Sequence, residues 1–166
     1  TGIMAAMMAA ASEREMPIDV ISDVVCPWCL IGRRRLGEAL ALFATREPRV
    51  RPVVSWHPFQ LNPDLPREGI DRRSYLEAKF GGRERADEIY ARVRAAGKSV
   101  GIDFAFDRID RQPNTLDAHR LISWAQARGS PEELVERLFR AYFLEGRYIG
   151  DREVLGRNIA HDVLHA

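Results

Sequence analysis

Hydrophobic positions in the first third of the chain alternate between strand-like and helix-like patterns. Residues 18–25, IDVISDVV, are rich in β-branched side chains and are bounded by Pro17 and Pro27, which predicts a buried strand. From Cys26 to about Glu47 the apolar residues recur mostly at helical spacing. Residues 50–56, VRPVVSW, return to strand character. A strand, a helix and a strand within about forty residues predict a right-handed βαβ unit with parallel strands.

The rest of the chain is predicted to be helical. Residues 58–69, PFQLNPDLPREG, contain three prolines and are expected to form a loop. Helices are then predicted at residues 71–80, 83–100, 115–128, 131–144 and 151–164. Two strands leave the outer edges of a sheet open, so a homodimer through the open edge is a further expectation. The predicted divisions are a flexible leader at 1–16, a βαβ half at 17–62 and a helical domain at 63–166.

Composition and charge disfavour several classes of partner. Hydrophobic residues make up 46% and charged residues 30%, the balance of an ordinary globular protein. The 25 basic and 24 acidic side chains nearly cancel, so binding to nucleic acid or to an acidic membrane surface is not expected. The N-terminal run TGIMAAMMAAASEREM lacks the basic start of a secretory signal, and no long apolar run follows. We therefore expect a cytoplasmic protein.

The candidate chemistry lies in the two cysteines, which form the motif Cys26-Pro27-Trp28-Cys29. Residues three apart share one face of a helical turn, so the two sulfur atoms can reach disulfide distance. Cys26 lies at the predicted helix start, where backbone N–H groups and the helix dipole favour a thiolate, so its pKa is predicted to fall below about 8.5. Cys26 is predicted to attack the substrate and Cys29 to resolve the mixed disulfide. Pro27 and Trp28 are predicted substrate contacts.

Other interpretations of the cysteine pair are weaker. A zinc site needs four ligands, and the sequence has no second CxxC motif, so no metal is expected. A structural disulfide is not typical of a cytoplasmic protein, whereas an inert buried pair stays open as an alternative. His57 could act as a base near the site but is interpreted as a loop residue, and His119 is interpreted as a partly buried packing residue rather than a catalyst. Arg33, Arg34 and Arg35 are predicted to be solvated, near enough to the cysteines to affect the thiolate or attract the carboxylates of glutathione.

Several separated segments of the chain resemble one family. They are IDVISDVVCPWCLIGRRRL at 18–36, HPFQLNPDLP at 57–66, YLEAKFG at 75–81, PNTLDAHRL at 113–121 and LFRAYFLEGRYIGD at 138–151. Together they resemble the DsbA-like thioredoxin-fold family, in its FrnE-like branch. The resemblance implies a thioredoxin fold with a helical domain inserted after the first βαβ unit. It also implies protein disulfide oxidoreductase or isomerase activity, with Cys26 and Cys29 as the active-site pair.

The same superfamily is similar to the kappa-class glutathione transferases and the 2-hydroxychromene-2-carboxylate isomerases, which bind glutathione. Those proteins have a serine-type residue where this chain has Cys26, so the CPWC motif favours dithiol chemistry. The loop at residues 59–63 could line a thiol-ligand pocket in either branch, which makes Phe59 and Asn62 predicted substrate contacts. The alternative is that this loop only closes the βαβ unit by packing.

The family continues after its helical insert with a β-hairpin and a helix that this sequence lacks up to Ala166. The predicted fold class is therefore α/β, a thioredoxin-like βαβ unit with an inserted helical domain and a missing C-terminal β-hairpin. Expected partners are protein or small-molecule thiols and disulfides, with glutathione as a candidate co-substrate and no other cofactor. The sequence favours a dithiol oxidoreductase, and the alternatives are a glutathione-dependent transferase or isomerase and an inactive truncated interaction module.

Overall fold

A parallel βαβ unit forms the first part of the structure, a computed structural model that describes residues 14–129 and 131–161, apart from the side chain of Asn158. Strand β1 (Arg14–Ser22) leads through a short turn to helix α1 (Pro27–Arg46), and strand β2 (Val50–Pro58) returns beside β1. The two strands pair in parallel, with Arg14 opposite Val50 and Ser22 opposite Pro58. The cysteine motif therefore lies where β1 ends and α1 begins.

The first strand differs from its prediction in position and in burial. It begins at Arg14 and ends at Ser22, whereas residues 18–25 were predicted, so residues 14–16 of the predicted leader belong to β1. Residues 1–13 of that leader lie outside the described residues. Side chains along β1 alternate between exposed and half-buried, and only Ser22 is buried. Within the described chain β1 pairs only with β2, so one edge of the strand has no neighbouring strand. The buried residues of the predicted strand are instead found in the turn after β1, where Val24 and Val25 are both buried.

The second part is helical, in agreement with the sequence pattern. Its elements are β3 (Ile70–Asp71), α2 (Arg72–Phe80), α3 (Arg83–Lys98), a 3₁₀ turn (Phe106–Arg108), β4 (Arg111–Gln112), α4 (Leu116–Gln126), α5 (Pro131–Phe143) and a π-helical segment (Val154–Ala160). The strands β3 and β4 form a short antiparallel pair that the sequence analysis did not predict. A two-residue strand is too short to give an alternating pattern. Asp71 caps α2, accepting a hydrogen bond from the Ser74 N–H at 2.8 Å.

The core lies mostly in the helical part. Leu138, Phe139, Tyr142 and Phe143 of α5 are fully buried, and the Phe143 ring meets the rings of several aromatic neighbours, among them Phe104 and Phe106. In α1, by contrast, only Leu30 and Ile31 are buried. Helix α4 packs against β2, which joins the helical part to the βαβ unit. None of the described helices is long and apolar enough to cross a membrane.

Candidate functional site

The turn between β1 and α1 fixes the position of the two cysteines. Cys26 has extended backbone angles and forms the N-cap of α1, with Pro27 at the first helical position. The Cys26 N–H donates to the Asp23 carbonyl at 3.0 Å, and the Cys26 carbonyl accepts from the Cys29 N–H at 3.1 Å. Both cysteines are free thiols and are half-buried. One turn of helix therefore holds the two sulfur atoms side by side at the end of the sheet.

The two thiols share one hydrogen bond, and this bond sets their acidities. As acceptor of the Cys26 S–H, the Cys29 sulfur has its pKa lowered to about 6, with smaller help from the Asp23 N–H and the Ser22 hydroxyl. The same hydrogen bond, burial and the charge of the Cys29 thiolate raise the pKa of Cys26. The prediction of a lowered pKa at Cys26 is therefore wrong for the reduced pair. Backbone N–H groups of Trp28 and Cys29 do lower the pKa of Cys26, as the helix-start argument requires, but by less than the thiol pair raises it.

One thiolate is expected in the reduced protein down to a pH near the lowered pKa of about 6 of Cys29. Since this pKa lies below that of a free thiol, the thiolate is retained at neutral pH and is lost as the pH falls through the lowered value. The thiolate absorbance in the ultraviolet should trace a single step there, and the oxidised protein, which has no thiol, is the control. A midpoint near that of free cysteine, about 8.5, would contradict the shared hydrogen bond.

A small, mainly apolar cavity of about 190 Å³ opens beside Cys26. Its lining comes from the cysteine motif, the loop after β2, helices α2 and α3, and β4: Val25, Cys26, Pro27, Trp28, Leu61, Asn62, Tyr75, Leu76, Lys79, Phe80, Ile89, Tyr90, Val93 and Gln112. Asn62 is held in the wall, since the Tyr75 hydroxyl donates to its side-chain oxygen at 2.9 Å and Lys79 donates to that hydroxyl at 2.8 Å. The structure thus brings three predicted contacts, Pro27, Trp28 and Asn62, to one cavity.

Phe59, the fourth predicted contact, does not line this cavity and is 53% exposed. Its N–H continues the pairing of the strands by donating to the Ser22 carbonyl at 3.1 Å. Leu61, rather than Phe59, lines the cavity from this loop. The Leu61 N–H donates to the Asp23 carboxylate at 2.8 Å, and this hydrogen bond holds the loop against the turn.

A buried carboxylate and a buried histidine lie behind the cysteines. Asp23 and His119 are both buried, with 3.3 Å between the His119 Nε2 and the Asp23 Oδ1. His119 was predicted only to pack in the core, and no role was predicted for Asp23. An acidic residue within the apolar run VISDVV was the available signal, because a carboxylate there must find a partner when the segment is buried.

The other polar candidates lie elsewhere or are already paired. The His57 ring is exposed and pairs with Asp19 at 2.7 Å. Arg33 and Arg34 were expected to be solvated, but both bind Glu136 of α5, and the Arg33 side chain is mostly buried. Among the described residues, no cluster of three or more His, Cys, Asp or Glu side chains could hold a metal ion. A larger cavity of about 630 Å³ between α2, α3 and the 3₁₀ turn has no cysteine in its lining.

Two known proteins are similar to this chain in sequence or in structure. The chain is 26% identical to the uncharacterized protein YwbO of Bacillus subtilis over 139 residues, which are 83% of this chain and 62% of YwbO. The crystal structure of a probable DsbA oxidoreductase from Streptomyces coelicolor is 29% identical and matches with a TM-score of 0.78. That match covers 91% of this chain and 64% of the Streptomyces chain, so the sequence spans less than two thirds of both relatives.

Residues 17–163 match the DsbA-like thioredoxin domain, and this range includes both cysteines, the cavity wall and the buried pair of Asp23 and His119. The predicted thioredoxin-like fold with its helical part is confirmed by this match and by the Streptomyces structure. The FrnE-like branch stays a prediction. The chain belongs to the DsbA-like thioredoxin domain family.

Proposed function

We propose that this protein is a thiol–disulfide oxidoreductase that exchanges disulfides through Cys26 and Cys29. The observation that carries the proposal is the pair of free thiols at the start of α1, of which Cys26 opens onto an apolar cavity. Such a pair holds one ionised sulfur at neutral pH, and the thiolate is the form that attacks a disulfide. The match to the DsbA-like thioredoxin domain supports the same class of chemistry.

The proposed reaction begins at Cys26, which lines the cavity, whereas Cys29 does not. The shared hydrogen bond lets the Cys26 proton pass to Cys29 as the substrate disulfide approaches. The Cys26 thiolate then attacks one substrate sulfur, a mixed disulfide forms, and the other substrate sulfur leaves as a thiolate. Cys29 next attacks Cys26, which closes the Cys26–Cys29 disulfide and releases the second substrate thiol. The substrate disulfide is reduced and the protein dithiol oxidised, and the reverse sequence oxidises a substrate dithiol.

The cavity indicates which part of a substrate would lie beside the reacting sulfur. Its volume of about 190 Å³ suits a single apolar side chain or a small thiol rather than a large ligand. Trp28 and Leu61 are substantially exposed at its edge and offer apolar contacts. Protein or small-molecule thiols and disulfides are therefore the proposed partners, and glutathione is a candidate co-substrate.

A redox titration in glutathione buffers tests the proposed function. The wild-type chain is expected to show one two-electron transition, followed by Trp28 fluorescence and by trapping free thiols at each point. Cys26→Ser should remove the two-electron transition, because the internal Cys26–Cys29 disulfide can then not form. The midpoint of the transition would give the direction in which the protein runs. A wild-type protein whose two thiols stay reduced across the whole series would show that the pair is inert and would overturn the proposal.

A further inference from the structure

Two buried polar atoms behind the cysteines have no hydrogen-bond partner of ordinary geometry among the described residues. They are the Ser22 hydroxyl oxygen and the His119 Nδ1, on residues that are 8% and 4% exposed. Both residues line one small cavity of about 10 Å³, together with Val24, Trp56, His57, Pro58, Ile122 and Val135. This is close to the volume that one water molecule needs, and a buried water requires polar partners such as these two atoms.

The surroundings of His119 fix which nitrogen is free. Its Nε2 lies 3.3 Å from the Asp23 Oδ1, so a proton on Nε2 donates to the carboxylate and leaves Nδ1 as an acceptor towards the cavity. The other carboxylate oxygen, Oδ2, accepts from the Leu61 N–H at 2.8 Å, which holds Asp23 in place. The Ser22 hydroxyl, which lines the same cavity, lies near enough to the Cys29 sulfur to lower its pKa.

When the mixed disulfide is resolved, the Cys29 thiol requires a proton acceptor close to its sulfur. The hydrogen bond from Cys26 is the largest cause of the lowered pKa of Cys29. Once the Cys26 sulfur is bonded to the substrate, it has no proton to donate, so the largest cause of the lowered pKa is lost while burial continues to raise the pKa of Cys29. Loss of this hydrogen bond raises the pKa of Cys29 in the mixed disulfide, so a Cys29 thiol must lose its proton before it attacks Cys26.

We propose that His119, oriented by Asp23, accepts the Cys29 proton through one water molecule and the Ser22 hydroxyl when the mixed disulfide is resolved. The inference rests on the proposed function. In this step the Cys29 S–H bond breaks, a Cys29–Cys26 bond forms, and the substrate sulfur leaves with the electron pair of its bond to Cys26. The proton ends on Nδ1, giving an imidazolium that Asp23 stabilises. In the reverse reaction the same proton returns to Cys29 as its thiolate leaves.

Titratable and charged groups near His119 lie on several elements. Asp23 approaches from the turn, and His57 of β2 lines the same cavity but pairs with Asp19 at the surface. Helix α5 contributes the apolar Val135 to the cavity. On α4 itself, Asp117 pairs with Arg120. Among these groups, the Asp23 carboxylate is the one that pairs with the His119 ring.

Single-turnover resolution of a mixed disulfide tests this role. The full chain is loaded at Cys26 with a chromophoric aryl thiol, and release of that thiol by Cys29 is followed as a function of pH. His119→Gln keeps a donor near the position of Nε2 but has no base at Nδ1, so release at neutral pH should slow by at least about tenfold. Its rate should also continue to rise at alkaline pH, where the wild-type rate has levelled off. His57→Gln, in the same cavity wall, is the matched control and should behave as wild type.

Ser22→Ala provides a second variant that leaves the pair of Asp23 and His119 intact, and it should show the same change of pH profile. Wild-type rates and profiles in both Ser22→Ala and His119→Gln would overturn the relay while leaving the dithiol chemistry standing. If circular dichroism shows that His119→Gln does not fold, a wild-type rate and pH profile in Ser22→Ala alone would overturn the relay. Failure of wild-type Cys26 to form the adduct would instead overturn the proposed function, and the relay with it.

Discussion

Cys29→Ser is expected to turn the short-lived mixed disulfide at Cys26 into an adduct that persists until an external thiol is added. Serine cannot attack a disulfide under these conditions, so the intramolecular route that releases the substrate is lost. The variant keeps Cys26 at the N-cap of α1 and beside the cavity, because the position of Cys26 depends on the turn and on backbone hydrogen bonds. Capture of a substrate thiol by Cys26 should therefore continue while its release stops.

Mass spectrometry of the intact chain after mixing with a small disulfide measures this effect. The wild-type protein should end as the internal disulfide with no added mass, and Cys29→Ser should carry one substrate thiol. Cys26→Ser is the control, since the residue that lines the cavity is then gone. If Cys29→Ser loses its adduct as quickly as the wild type does, another group resolves the mixed disulfide, and the role given to Cys29 is wrong.

The fold could be predicted from the sequence where its pattern is long or repeated. The helices from α2 to α5 follow apolar residues at helical spacing, and their ends agree with the predictions to within a few residues. The start of β1 was missed because Arg14 and Glu15 are charged and exposed, so only their pairing with β2 reveals the strand. Burial of β1 was overestimated, since a run of β-branched residues does not show how many neighbouring strands cover it.

The candidate site was predictable only where its residues are adjacent in sequence. Cys26 and Cys29 were predicted as the reactive pair from their spacing, and Asn62 was predicted as a substrate contact because it lies in a loop that its prolines mark in the sequence. His119 lies 96 positions from Asp23, so their contact depends on the packing of α4 against β2. Which of the two cysteines has the lower pKa was not predictable either. The position of Cys26 at the helix start favours a low pKa for a single thiol, whereas in the structure the neighbouring Cys29 thiol has the larger effect on the pKa of Cys26.

The helical part therefore contributes to the candidate chemistry as well as to stability. It brings His119 to the back of the cysteine turn, and α2, α3 and β4 supply most of the wall of the 190 Å³ cavity. The conformation of Gln112 and Tyr90 in that wall depends in turn on Arg72, which contacts both side chains. Stability of the helical part and the shape of the candidate substrate cavity are thus linked through one buried side chain.

Arg72→Ala is expected to destabilise the protein far more than the same change at its neighbour Arg73. The Arg72 guanidinium belongs to a residue only 3% exposed, and it donates to the Gln112 side chain at 2.7 Å, to the Tyr142 hydroxyl at 2.8 Å and to the Tyr90 hydroxyl at 3.0 Å. Burial raises the pKa of both tyrosines, so their hydroxyls stay neutral and can accept these bonds. The Tyr90, Phe106 and Tyr142 rings also face the cation at 5.3 to 5.9 Å.

The size of the effect depends on two opposing terms. Removing a buried cation recovers its desolvation cost, which favours the variant. Against this, alanine leaves an unfilled space and takes the donors from two buried acceptors and from the partly buried Tyr90 hydroxyl, and a buried acceptor costs about 1–3 kcal/mol when left unsatisfied. The Tyr142 hydroxyl, 3.2 Å from the Gln112 oxygen, can satisfy that acceptor in part, so a net loss of about 3 kcal/mol is expected.

Urea denaturation of the two variants measures this difference directly. Arg73 has the same helix propensity and lies on the same helical turn, but its side chain is 64% exposed and makes only a surface pair with Glu77, so Arg73→Ala should cost no more than about 0.5 kcal/mol. Equal midpoints for Arg72→Ala and Arg73→Ala would mean that desolvation cancels the three hydrogen bonds. In that case the cavity wall at Gln112 and Tyr90 would have to be held by the aromatic packing rather than by the buried arginine.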